Sequence, residues 1–378
     1  MATEEAMGWS SHHKNGLIYY DSQRSYRGYT LVATNRGGSY ANLIDMEGRV
    51  CHRWYHPEEI VYGYLLPNGN LLFRSRMARH EGEGPQFGGR SMSLIELDWD
   101  GNLVWKYESP DMYLHHDFER LLNGNTLVLL WAPLPADLAA QVKGGYVREE
   151  GEEMWGDVVQ EITTGGEIVY EWKSWESLNV DEDIIGPLDG RHEWTHQNAL
   201  NVTPEGDLLV SFRQTSTVGI VDKATGKFRW KWGPGEVNNQ HHPTWLPNGR
   251  VLIFDNGCNR RGPSRSRVIE VDPNTNEIGW EYTGTPEISF FSYNISSAER
   301  QPNGNTVICE GAPGRIFEVT QSMEIVWEYV NPFYGEMAGA PPQNGVFRAH
   351  RYGPDHTALN GKDLDPDRYA NINRLYAH

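Results

Sequence analysis

The stretch LPNGRVLIFDN, residues 246–256, followed shortly by RVIEVDPNTNEIGWEYTG, residues 267–284, decides the fold. In the first segment a Pro-Asn-Gly turn, with glycine where a positive φ is needed, leads into an apolar run typical of a buried strand. In the second, apolar alternation enters an Asp/Pro/Asn turn and leaves it toward an aromatic pair, Trp280 and Tyr282. Each segment is a hairpin, and together they make four antiparallel strands.

Both phrases recur along the chain. The aromatic-ended one returns as NLIDMEGRVCHRWYH (42–56), SLIELDWDGNLVWKYES (93–109), DVVQEITTGGEIVYEWKS (157–174), GIVDKATGKFRWKWG (219–233) and RIFEVTQSMEIVWEYVNP (315–332). The turn-led one returns as LLPNGNLLFRS (65–75), LLNGNTLVLLW (121–131), VTPEGDLLVSF (202–212) and QPNGNTVICEG (301–311). A four-stranded unit repeating at roughly 45 to 65 residues has the size of one propeller blade with its loops. Six copies predict an all-β, six-bladed β-propeller, occupying residues 1–378 as a single domain with an N-terminal extension over 1–25. The segment YTLVATN through CHRWYH lacks a preceding turn-led phrase, and FRAHRYGPDH (347–356) lacks a following hairpin. Pairing of these N- and C-terminal segments is expected to complete the sixth blade and close the ring, leaving no open sheet edge. The aromatic pairs Trp105/Tyr107, Trp230/Trp232, Trp280/Tyr282 and Trp327/Tyr329 are expected to fill the space between neighbouring blades.

Composition agrees with this architecture and narrows the partners. Forty glycines and 21 prolines are too many turn formers for a helical protein. A formal charge of −18 argues against a nucleic-acid partner, which requires a dense basic face. The N-terminal MATEEAMGWSSHHKNG has no apolar signal-peptide core, and no uncharged stretch reaches membrane-spanning length, so a cytoplasmic protein with no membrane partner is expected. Cys51, Cys258 and Cys309 are far apart, which indicates neither a disulfide framework nor a zinc knuckle. No feature fixes an oligomeric state.

Two acidic, turn-rich stretches, 133–157 and 174–195, interrupt the repeat and are expected to be inserted loops covering the channel mouth.

Histidines fall in register with the repeat. His116 lies eight residues before Gly124, His241 eight before Gly249 and His196 ten before Gly206, while His350 opens the incomplete sixth repeat. Each stands where the first strand of a blade begins, so all four are expected to face the channel axis. One buried histidine is ordinarily a satisfied core residue. Four in equivalent positions are poor core filler, because packing there favours apolar groups and protonated imidazoles repel. The neighbours His115 and His242 are expected to point the other way as structural or rim residues. Arg213, ending the strand after His196, is placed to bring a positive charge to the same mouth, with Arg300, Arg348 and Arg351 as weaker candidates of that kind. Asp255 and Asn256 are expected to organise a turn.

This set admits more than one chemistry. Its imidazoles suit nucleophilic and acid–base work on a small aromatic or anionic substrate. They also suit a transition-metal ion held by His116, His196, His241 and His350, in a metal-dependent lyase, hydrolase or oxygenase. A non-catalytic binding propeller is the third reading, and it has the least use for polar groups on the axis.

The phrases THQNAL, SFRQTSTVGIVDK and WKWG, the QH before a strand ending FDNG, and then SRVIEVD and FRAHRYG resemble the arylsulfotransferase family over about residues 40–352. The resemblance implies an enzyme in which a histidine accepts a sulfuryl group from an aryl sulfate and passes it to a phenol, with no cofactor and no nucleotide donor. It places the nucleophile at His241, a second site histidine at His196, the sulfate-contacting arginine at Arg213 and a further histidine at His116. His350 joins them by the counted position alone.

Overall fold

The computed structural model describes residues 14–76, 84, 88–147, 153–337 and 339–376. Residues 1–13 of the expected extension, residues 148–152 of the first insert, and His12, His13, His80 and His378 lie outside the described residues.

The chain is all-β and forms a six-bladed β-propeller, each blade a four-stranded antiparallel meander. The stretch read first gives one blade, His241–Trp245, Val251–Asp255, Arg267–Val271 and Ile278–Thr283, hydrogen-bonded in that order. Successive residues of its second and third strands are buried without alternation, as they must be when both sheet faces are covered. The sixth blade combines both chain ends as predicted. His350–Tyr352 pairs with Tyr29–Ala33, joining Leu31 to His350 and Thr30 to Arg351. Arg351 is fully buried there and ion-paired with Glu318, and it donates to Thr30 Oγ1 at 3.0 Å, so its role is structural. Gly16–Tyr20, within the expected extension, adds a fifth strand to the blade that ends in Ile325–Val330.

Contacts group the chain into two compact units. One holds the blades beginning at Ile60–Leu65, Ser297–Arg300 and His350–Tyr352; the other holds those beginning at Tyr113–Arg120, Gln197–Val202 and His241–Trp245.

Within each unit the aromatic ends of the hairpins link neighbouring blades through a hydrogen bond that recurs with the repeat. The indole N–H of Trp54 donates to Asp98 O at 3.0 Å, and that of Trp327 to Met46 O at 2.8 Å. Trp172 donates to Gly226 O at 2.9 Å and Trp230 to Asn276 Oδ1 at 2.8 Å. In every case the fourth strand of one blade's meander grips the last hairpin turn of the next, which gives the indole its polar partner.

The two inserts are not featureless loops. The first contributes a short helix, Ala136–Ala139, and Gly144–Tyr146, which pairs in parallel with Ile185–Gly190 of the second. Leu134, Val142, Met154, Ile185 and Trp194 form a small core of their own beneath this ribbon.

Candidate functional site

The unit containing the inserts carries His116, His196 and His241 at the first strands of three blades, linked by a ring contact and by side-chain and backbone hydrogen bonds. His116 and His196 meet edge to face, with ring centroids 4.4 Å apart. Both have positive φ, 45° and 51°, a conformation that a bulky residue adopts only when its surroundings impose it. Gly89 lies over the His116 ring so closely that a Cβ there would stand 1.9 Å from Cε1. From His196 the linkage continues through the backbone, since Arg213 N donates to His196 O at 3.2 Å. Asn239 then donates from Nδ2 to Arg213 O at 3.2 Å, and its own carbonyl accepts from the His241 ring at 3.2 Å. The structure therefore brings the His116 and His196 rings into contact, while Arg213 and His241 are joined to them through backbone carbonyls and amides.

Two of the imidazoles, His241 and His196, have an oxygen partner at Nδ1. His241 Nδ1 lies 2.7 Å from Asn256 Oδ1, and the Asn256 amide is oriented by Nδ2 donating to Ser292 O at 2.8 Å. Nδ1 consequently bears the proton and Nε2 carries the lone pair. His196 Nδ1 lies 2.5 Å from Glu193 Oε1, which also receives His192 Nε2 at 3.3 Å and Gln214 Nε2 at 3.1 Å. Burial pushes the Glu193 carboxyl up, but His196 and His192 outweigh it and hold the group down at about 2.

Arg213 is not simply open to an incoming anion. Its Nη1 donates to Asp189 Oδ1 at 2.9 Å, and Asp189 also receives Asn239 Nδ2 at 3.1 Å and Asn259 Nδ2 at 3.2 Å. Asp189 belongs to the second insert, so an internal carboxylate sits where the resemblance would place a sulfate.

Sequence reasoning misplaced His115 and undervalued Asn256. His115 does not face away: its Nδ1 is 2.9 Å from His116 Nδ1, because the left-handed kink at His116 breaks the strand alternation on which the expectation rested. His242 is buried, also at positive φ. Asn256, read as a turn former, is the partner of the candidate nucleophile. The antiparallel ladder, which joins His241 to Phe254, held the signal for that contact. Glu193 and Asp189 lie in the inserts, where no repeat marks a position.

In the other unit, His350 Nε2 lies 3.3 Å from Tyr62 Oη and Nδ1 lies 3.3 Å from Glu299 Oε1. Arg348 donates to Tyr62 Oη at 3.2 Å and Arg300 to Gly304 O at 3.1 Å. Among the described residues, no group of three or more His, Cys, Asp or Glu side chains is arranged to hold a metal ion. Among those residues, too, no helix is long and apolar enough to cross a membrane.

The fold is thus a six-bladed propeller with imidazoles, a guanidinium and asparagine amides on adjoining blades. The arylsulfotransferase (ASST) family model matches residues 10–238, more than half of the chain, and the chain belongs to that family. The matched span contains His116, His196 and Arg213 and ends just before Asn239. Membership supports an aryl-sulfotransferase-like transferase function.

A search of curated proteins gave no match. Among solved structures, a protein of unknown function from Bacteroides caccae is 13% identical with a TM-score of 0.55, over 86% of this chain and 98% of that one. A streptogramin B lyase is 14% identical with a TM-score of 0.47, covering 87% and 85%. A virginiamycin B lyase from Staphylococcus aureus is 14% identical with a TM-score of 0.42, covering 74% and 71%. Likeness at such identity shows the fold alone.

Proposed function

We propose that the protein transfers a sulfuryl group from an aryl sulfate to a phenolic acceptor, by way of a sulfo-histidine at His241. The observation that supports this reading is the Asn256 contact, which places the proton of the neutral His241 ring on Nδ1, puts the lone pair on Nε2 and orients the ring. An imidazole so held attacks without first losing a proton or rotating. In the first half-reaction Nε2 bonds to sulfur as the bond from sulfur to the aryl oxygen breaks. His116 and His196 supply the proton taken by the departing phenolate and receive that of the acceptor. Arg213, Asn239 and Asn259 form a cradle of N–H donors for the sulfuryl oxygens, entered when the donor exchanges with Asp189. His350, kept by Glu299 and Tyr62, is given no step.

The test is mass spectrometry of the whole chain after a short incubation with 4-nitrophenyl sulfate and no acceptor. A single sulfuryl adduct on His241, discharged by added phenol and absent in His241→Ala, is the expected result. Turnover by a chain that never becomes modified would overturn the proposal.

A further inference from the structure

A second polar chain, wholly buried, leads to His116 from behind. Asp157, on the strand Trp155–Ile162, holds Oδ1 3.3 Å from His115 Nε2, an ion-pair contact that falls outside hydrogen-bond geometry, with the two side chains 1% and 0% exposed. Its other oxygen, Oδ2, is occupied by Thr195 Oγ1 and by Gln197 N at 3.0 Å. The His115 ring lies flat on Trp131, centroids 4.0 Å apart and planes 7° apart, so it cannot swing away from these contacts. Its second nitrogen faces His116 Nδ1 at 2.9 Å.

Two ring nitrogens at that distance share one proton, since two lone pairs or two N–H groups facing each other would repel. The position of that proton is tied to Asp157. When the carboxylate is ionised, its charge holds a proton on the facing His115 Nε2, which a small tilt of the ring brings into line for transfer; His115 then accepts from His116 at Nδ1, and His116 Nε2 is left unprotonated. When Asp157 carries a proton, it donates to His115 Nε2, His115 donates to His116 Nδ1, and His116 Nε2 bears hydrogen.

We propose that Asp157 and His115 are positioning residues of a buried proton relay that loads and unloads His116. This inference rests on the sulfuryl-transfer reading above. In the donor half-reaction, the departing phenolate oxygen takes the proton from His116 Nε2. His116 Nδ1 takes the proton of His115 Nδ1, and His115 Nε2 takes that of Asp157 Oδ1. Each N–H or O–H electron pair stays on the atom that gives up its proton, and a carboxylate remains. The acceptor phenol reverses each transfer, so one proton serves both halves of the cycle without entry of water. The groups facing Asp157 are His115, Thr195, the Gln197 amide and the Glu193 carboxylate. Burial first, and Glu193 next, push the Asp157 carboxyl up to about 7, near the point where proton gain and loss are balanced at neutral pH.

The relay is tested in two ways on the full chain. With ¹⁵N-labelled histidine, long-range nitrogen–proton spectra report which nitrogen of each ring bears hydrogen. His115 and His116 are expected to change tautomer together as pH crosses neutrality, and Asp157→Asn to abolish that common transition. His116 holding one tautomer at every pH overturns the relay, whether or not the protein turns over. The kinetic arm compares donors: Asp157→Asn should slow kcat on phenyl sulfate by roughly 10²-fold, but barely on 4-nitrophenyl sulfate, whose leaving group needs no acid. An equal loss on both donors assigns Asp157 to structure alone and overturns the relay. His115→Gln repeats both arms should Asp157→Asn fail to fold. No sulfuryl adduct in the wild type would sink the transfer reading while leaving the paired tautomer change standing.

Discussion

Glu193→Gln is the perturbation whose magnitude follows most directly from the structure. Glu193 is 2% exposed and accepts from His196 and His192 through the same oxygen. Its carboxyl stands at about 2, against an ordinary 4.5. A folded-state value below the unfolded one means that the folded protein resists protonation there. The corresponding stability is complete above about pH 4.5 and is lost as pH falls toward 2. The fall from 4.5 to about 2, at about 1.4 kcal/mol for each tenfold change, corresponds to roughly 3–4 kcal/mol, undiminished by solvent screening because the group is buried. Urea unfolding of wild type and Glu193→Gln at intervals between pH 6 and pH 2.5 measures it, with the midpoint and slope read at each pH. The wild type should lose roughly 2–3 kcal/mol more than the variant across that window, the curves converging in acid. Parallel curves would refute the claim that His196 and His192 hold an ionised partner.

Asn256→Ala removes the acceptor that orients His241; losing about 1–2 kcal/mol of a buried hydrogen bond should lower kcat about tenfold with little change in KM, and a shift in KM alone would contradict the orienting role. Asp189→Asn removes the internal anion beside Arg213, so calorimetry with inorganic sulfate should show binding at least several-fold tighter than in wild type. Weaker binding would mean that Asp189 builds the cradle rather than competing for it. Trp327→Phe strips a fully buried indole of its bond to Met46 and should cost about 2–4 kcal/mol in denaturant unfolding, whereas Trp230→Phe, on a half-buried ring, should cost under about 1 kcal/mol.

The blades were legible because hairpin chemistry is local: a glycine at positive φ and a period of two are written within about ten residues of each other. Pairing of the chain ends was legible from what each end lacked. The inserts were not, because Gly144–Tyr146 and Ile185–Gly190 are too short to show a period and meet only through tertiary contact. Asp189 and Glu193 were hidden for the same reason. Asn256 was within reach, since a hairpin's register names the residues across the ladder, but its side chain was read as serving its own turn.

His115 shows where counting along a strand stops working. Alternation assumes extended backbone, and the entry to the first strand is not extended: His116, His196, His242 and Ser296 all lie at positive φ, between 49° and 95° for the last two. A non-glycine residue so placed costs on the order of 1–3 kcal/mol, which the surrounding fold must offset. Ser296 has the kink without an imidazole, eight residues before Gly304, as His116 is eight before Gly124. The kink therefore belongs to the blade, and any of several residue types accommodates it. Histidine stands at the kink in three adjoining blades, as His116, His196 and His242, and the rings of the first two are backed by His115 and Glu193. Backbone geometry accounts for the direction in which these side chains project, and the proposed sulfuryl transfer supplies a reason for the identity of two of them, His116 and His196.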